Sequence, residues 1–136
     1  MNQTLANIIG LLLVRIFTGV IFIVHGAQKF QGLDGTSGFF QSLGLPGWMA
    51  PVVATVELVG GIALVLGIGT RLAGAALTIV MIGVLLTAKK GQPFGSIEFD
   101  LLILFTSLQQ ALVGGRFLAV DQLFGRKKAE NSNVQV

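Results

Sequence analysis

The sequence predicts an all-α membrane bundle: four transmembrane helices, with a short interfacial helix between the first and second. Three observations lead there. Four long apolar runs take up most of the 136 residues, with 53% hydrophobic residues against 11% charged. A soluble domain is usually nearer 25% charged. Small residues recur at three- and four-residue spacing inside those runs, as they do where membrane helices pack closely. Finally, glycine- and lysine-rich breaks separate the runs at intervals that fit a bilayer of about 30 Å, which takes about 20 residues of helix to cross.

The first helix is expected over residues 5–27. Its N-terminal stretch has no basic region, and Gly26-Ala27-Gln28-Lys29 makes a poor cleavage site, so the run reads as a retained helix. It carries Arg15, His25 and Lys29. A charge at mid-bilayer costs about 2.5–3.5 kcal/mol on translocon-insertion scales, so Arg15 needs a partner. Gly19 and Gly26 follow Arg15 on one face, which invites a second backbone to approach, and Lys29 returns to the same side. Residues 31–51 are glycine-rich and weakly amphipathic. Thr36 or Ser37 can cap a short helix presenting Phe39, Phe40 and Leu43, laid flat at the interface beside Trp48.

The second transmembrane helix is expected over residues 50–67, with Pro51 in its first turn. Ala50, Ala54, Glu57, Gly60 and Gly61 form a small-residue seam containing one acid, and Glu57 is the natural partner for Arg15. A turn at residues 67–71 leads to a third helix over 72–88, which has no ionisable side chain and reads as scaffold. After Lys89 and Lys90 the fourth helix, over 96–114, is the most polar. It carries Glu98, Asp100 and Gln109, with Glu98 and Gln109 on one face. Residues 1–124 read as one membrane domain and 125–136 as a basic, disordered tail.

Four crossings put both termini on one side. Arg71, Arg116, Arg126, Lys127 and Lys128 lie on that side, against Lys29, Lys89 and Lys90 opposite, so the expected location is the cell membrane with both termini cytoplasmic. The charge of +3 then belongs to helix ends and tail, and nucleic acid is not an expected partner. With no cysteine and one histidine, disulfides and CxxC redox pairs are excluded within this chain, and no metal site is expected.

Helix spacing arranges Glu98, His25, Glu57, Arg15 and Gln109 as a descending ladder in the half of the membrane away from the termini. One reading is structural: an Arg15–Glu57 pair fixes helix register. The other is functional, because intramembrane ionisable groups mark ligand or proton sites. A quinone needs an apolar slot with a hydrogen-bond partner at each oxygen. In that reading Glu57, His25 and Glu98 are the catalytic candidates, as proton-exchanging groups, while Arg15, Lys29, Gln109 and Asp100 bind the ligand.

Several segments also resemble the DoxX family of small four-helix membrane proteins. They are Arg15 with Phe22, His25-Gly26 and Lys29-Phe30; Gly38-Phe39-Phe40 with Gly44-Leu45-Pro46; Glu57-Leu58-Val59-Gly60-Gly61 and Gly69-Thr70-Arg71; Glu98; and Gly115-Arg116-Phe117 with Asp121. The resemblance is strongest to the branch associated with catechol and hydroquinone handling. It implies an oxidoreductase or oxidoreductase subunit acting with quinone, in redox or oxidative-stress handling. Two rival expectations stand beside it. One is a non-catalytic anchor that docks a soluble redox enzyme through its basic tail, and the other is a small carrier for aromatic compounds. The glycine faces also allow a homodimer.

Overall fold

The computed structural model describes residues 2–115 and 119–122. The tail at 125–136, with Arg126, Lys127 and Lys128, and Arg116 lie outside the described residues, as does any docking role assigned to them.

Among the described residues five helices follow one another: α1 (Gln3–Gln31), α2 (Leu33–Ser42), α3 (Met49–Leu66), α4 (Thr70–Leu86) and α5 (Phe94–Val113). Among the described residues there is no strand. Asn2 caps α1, its side-chain oxygen accepting from the Leu5 amide at 2.9 Å. The helix does not stop at 27 as the sequence reading expects. Gly26 serves contact with α3 rather than termination, and α1 continues to Gln31 before the Gly32 amide closes on the Gln28 carbonyl. Then α2 starts at once, with Gly32 at its N-cap position; Thr36 lies inside the helix with its hydroxyl on the Gly32 carbonyl.

α1 lies antiparallel against α3, and α4 against α5, with α3 and α4 joining the two pairs. The first contact is nearly backbone on backbone. A Cβ built at Gly61 would sit 2.6 Å from the Gly19 carbonyl oxygen, and one at Gly26 would sit 2.7 Å from the Leu58 nitrogen. No side chain larger than hydrogen fits there without moving a helix, so the expected small-residue seam is where the two helices meet. Gly74 does the same for α4, where a Cβ would lie 2.5 Å from the Ala111 nitrogen on α5. Phe22, Leu64, Leu77 and Ile103 fill the centre, drawing one large side chain from each long helix.

Outside this thin core the bundle is apolar where a soluble protein is polar. Phe17, Leu72, Ile79, Phe105 and Leu112 are all exposed. A surface of that kind is a liability in water and the normal solvent face in lipid. Among the described residues three helices, α1, α3 and α5, are long and apolar enough to cross a membrane, and α4, at 17 residues, is a shorter apolar one. Two buried hydroxyls are satisfied within their own helices: Thr78 donates to the Gly74 carbonyl and Ser107 to the Ile103 carbonyl, each at 2.7 Å. The molecule is a helical membrane bundle.

Candidate intramembrane site

The α1 face that packs inward carries Arg15, Thr18, Gly19, Phe22 and Gly26, and Lys29 follows one turn later. Cα–Cβ bonds on a helix tilt toward its N-terminus. On α1 that direction carries Lys29 into the bundle and Arg15 toward the chain termini. On α3, which runs the other way, it carries Glu57 toward Met49 and hence toward Lys29. The two meet: Lys29 Nζ donates to Glu57 Oε2 at 2.6 Å, with the Glu57 side chain 3% exposed and Lys29 26% exposed. The expected Arg15–Glu57 pair therefore does not form. Spacing alone put Arg15 within reach, but the tilt of both helices turns its side chain away.

Lys29 also lines an apolar chamber of about 850 Å³, half open to the surroundings and bordered by α2, the start of α3 and the second half of α4. Phe40 from α2 and Leu43 just past its end, Met49 and Val53 from α3, and Val80 and Val84 from α4 form its walls. Lys89 closes its far edge. That lysine donates to the Ser96 carbonyl at 3.1 Å and lies 3.4 Å from Asp100 Oδ2. A smaller polar vestibule of about 330 Å³ adjoins the chamber, lined by His25, Gln28, Lys29 and Thr36. Lys29 and Thr36 belong to both walls. His25 is half-buried and meets Phe99 of α5 edge-on, with ring centroids 6.5 Å apart.

The structure thus brings together Lys29, Glu57 and His25, with Asp100 reaching the same end through Lys89. Glu98 and Gln109 do not join them. The buried stripe of α5 is Ile103, Ser107 and Gln110, which leaves Glu98 exposed at the helix start and Gln109 half-buried beside the stripe. Extended backward by three residues, that stripe reaches Asp100 rather than Glu98. Spacing gave the shared face of Glu98 and Gln109, but could not say which face is inward.

Arg15 belongs to the opposite end of the bundle. It is 4% exposed, and its guanidinium carbon lies 3.3 Å from where a Cβ would stand on Gly67. Gly67 has φ +72° and is crowded by Ala119, whose Cβ would lie 2.5 Å from that added Cβ, so both the turn and the contact require glycine. Two residues on, Asp121 accepts from the Gly69 amide at 2.7 Å and from the Thr70 amide and hydroxyl at 3.1 Å each. It is a cap for α4 supplied from beyond α5, at the positive end of the helix dipole. Burial pushes the Asp121 carboxyl up, but the Thr70 and Gly69 donors and the Arg15 charge outweigh it and hold the group below the ordinary aspartate value. The spacing of the helices pairs Arg15 with Glu57 instead. Asp121 lies past the Gly114-Gly115 break, and the fold brings it level with the glycine turn before α4.

Among the described residues no group of His and acidic side chains is arranged to hold a metal ion. The DoxX family model matches residues 10–90, from early α1 past the end of α4. The chain belongs to the DoxX family. The matched span contains Arg15, His25, Lys29, Glu57 and Lys89, whereas Asp100 and Asp121 fall beyond it. This DoxX protein is 50% identical over 127 residues to a Bacillus subtilis (strain 168) protein named "Putative oxidoreductase CatD", covering 93% of this chain and 94% of that one. It is 28% identical over 126 residues to the uncharacterized membrane protein Rv3486 of Mycobacterium tuberculosis (strain ATCC 25618 / H37Rv), covering 90% of this chain and 66% of the relative. The inner membrane protein YqjF of Escherichia coli (strain K12) is 38% identical over 63 residues, 46% of this chain and 48% of that protein. No solved structure matches the chain.

Proposed function

We propose that this DoxX-family protein is a quinone-linked membrane redox component, and that the chamber beneath α2 is its ligand site. The observation that carries the reading is an apolar space of about 850 Å³ edged by two lysines, Lys29 and Lys89. Ligand pockets of 300–1,000 Å³ with mainly apolar walls and a few placed polar groups are the usual form of a small-molecule site. A flat ring lies among Phe40, Leu43, Met49 and Val84, and an ammonium group donates a hydrogen bond to an oxygen at either edge. Glu57 holds Lys29 in place from behind, and His25 stands in the vestibule that connects the site to water on the side away from the termini. With no cysteine in the chain, electrons pass between the bound molecule and a partner rather than through a thiol of this protein. The similarity to a relative named as an oxidoreductase supports the same reading. The balance of basic residues supports the same reading with the protein in the cell membrane and both termini on the cytoplasmic side.

The test is to fill the chamber without disturbing the bundle. Gly83 lines it, and a Cβ added there meets nothing within 4 Å. In nanodiscs, Gly83→Phe should retain the wild-type melting temperature and lose binding of a short-chain quinone by tenfold or more. Unchanged quinone affinity in a folded Gly83→Phe protein would remove the chamber from the mechanism.

A further inference from the structure

We infer that the chamber takes its ligand as an oxyanion, a phenolate-type oxygen, in preference to the neutral hydroxyl or ether form. This rests on the reading of the chamber as the ligand site. Charge sets the preference. Among the described residues that line the chamber, Lys29 and Lys89 are the charged ones, and no carboxylate lines it. Each lysine has its acid behind it: Glu57 is almost fully buried on α3, and Asp100 stands on α5. Each pair is therefore a dipole with its positive end on the chamber wall.

Donor bookkeeping gives the same result. An ammonium has three N–H donors. Glu57 takes one from Lys29 and the Ser96 carbonyl takes one from Lys89, which also faces Asp100 at 3.4 Å, so donors remain at both edges. The acceptors nearby are already engaged. The Gly83 carbonyl receives both the amide and the hydroxyl of Thr87, the Val84 carbonyl receives the Lys89 amide, and the Gly32 carbonyl receives the Thr36 hydroxyl. A neutral O–H brought into the chamber finds few acceptors for its proton, chiefly the Thr36 and Thr87 hydroxyl oxygens, whereas an oxyanion finds the spare ammonium donors at both edges. Hydrogen bonds from an ammonium to an anionic oxygen are about twice as strong as neutral ones, and apolar walls raise the contrast by excluding water.

The probe is 4-nitrophenol, whose phenolate has its own visible absorption band. The full chain is placed in nanodiscs of phosphatidylcholine, with empty nanodiscs as the blank, and bound probe is titrated with pH. The expected result is a bound midpoint at least one pH unit below that of free probe, equivalent to a tenfold preference for the anion. 4-Nitroanisole, the methyl ether of the same shape, should bind at least tenfold more weakly than the phenolate. Lys89→Met should reduce the shift, while Lys29→Arg, which keeps a cation paired with Glu57, should preserve it. A bound probe that titrates with the free one overturns the inference. So does equal affinity for the ether, or no binding at all. If short-chain quinone still binds the same nanodiscs and Gly83→Phe abolishes it, the ligand site stands and only the anionic preference falls.

Discussion

The two ends of the bundle solve the same problem in opposite ways. At each, an α1 cation is drawn out of lipid, Lys29 at one end and Arg15 at the other. Lys29 is answered by a carboxylate from the neighbouring helix, in a close contact inside the bundle, and one side of it is left facing an open chamber. Arg15 is buried against a glycine turn and acted on by Asp121, whose oxygens are already occupied as a helix cap. The first arrangement leaves donors over and room beside them. The second uses its acceptors on the backbone. A ligand site needs donors to spare beside open space, and among the described residues the Lys29 end joins its spare ammonium donors to about 850 Å³, against about 480 Å³ beside Asp121.

Substitutions at each end sharpen the contrast. The largest loss is expected from Lys29→Met, which strands Glu57 as a buried unpaired carboxylate and should cost about 3–5 kcal/mol. Adding Glu57→Leu should recover most of that loss, since replacing a whole buried pair with apolar groups is often neutral or better. Chemical denaturation in nanodiscs measures both, and a Lys29→Met protein as stable as wild type would mean that the pair does not hold the helices. A smaller effect, about 1–2 kcal/mol, is expected at the other end from Asp121→Asn, which removes a charged helix cap. This end should also be acid-sensitive. Because the folded carboxyl sits below the ordinary value of 3.8, its stabilisation is complete above that pH and is lost as the pH falls through it toward the folded value. The melting-temperature gap between wild type and Asp121→Asn should therefore close on acidification; a gap that stays constant below that pH would deny Asp121 its charged role. The smallest change is expected from Phe99→Leu. It removes the edge-on partner of His25 and should cost about 0.5–1.5 kcal/mol, with His25 chemical shifts in NMR reporting the altered vestibule.

What could be read in advance follows the same division. Helix periodicity and glycine spacing give the bundle and its tightest contact, because Gly19, Gly26 and Gly61 have no use in an isolated helix except to let another backbone in. They also give Glu57 as an inward acid. Which cation meets it depends on side-chain direction along antiparallel helices, which spacing does not encode but the Cβ tilt does. Lys89 was legible only as part of a break, since its role requires α4 and α5 to converge. Asp121 was hidden for a different reason. Its partners lie 51 and 52 residues away in the chain, and nothing local marks a polar residue past a double glycine as a cap for a distant helix.

That separation also sets a timetable for biosynthesis. Helix α4 is made with its first turn uncovered, and the carboxylate that closes it leaves the ribosome 51 residues later. At 5–20 residues per second the wait is roughly 3–10 s. During that interval α1, α3 and α4 are already in the translocon's neighbourhood with Arg15 lacking the charge of Asp121. A contact made late in synthesis thus acts on the earliest-made helix, so a truncation before residue 121 should leave a bundle that inserts without this latch.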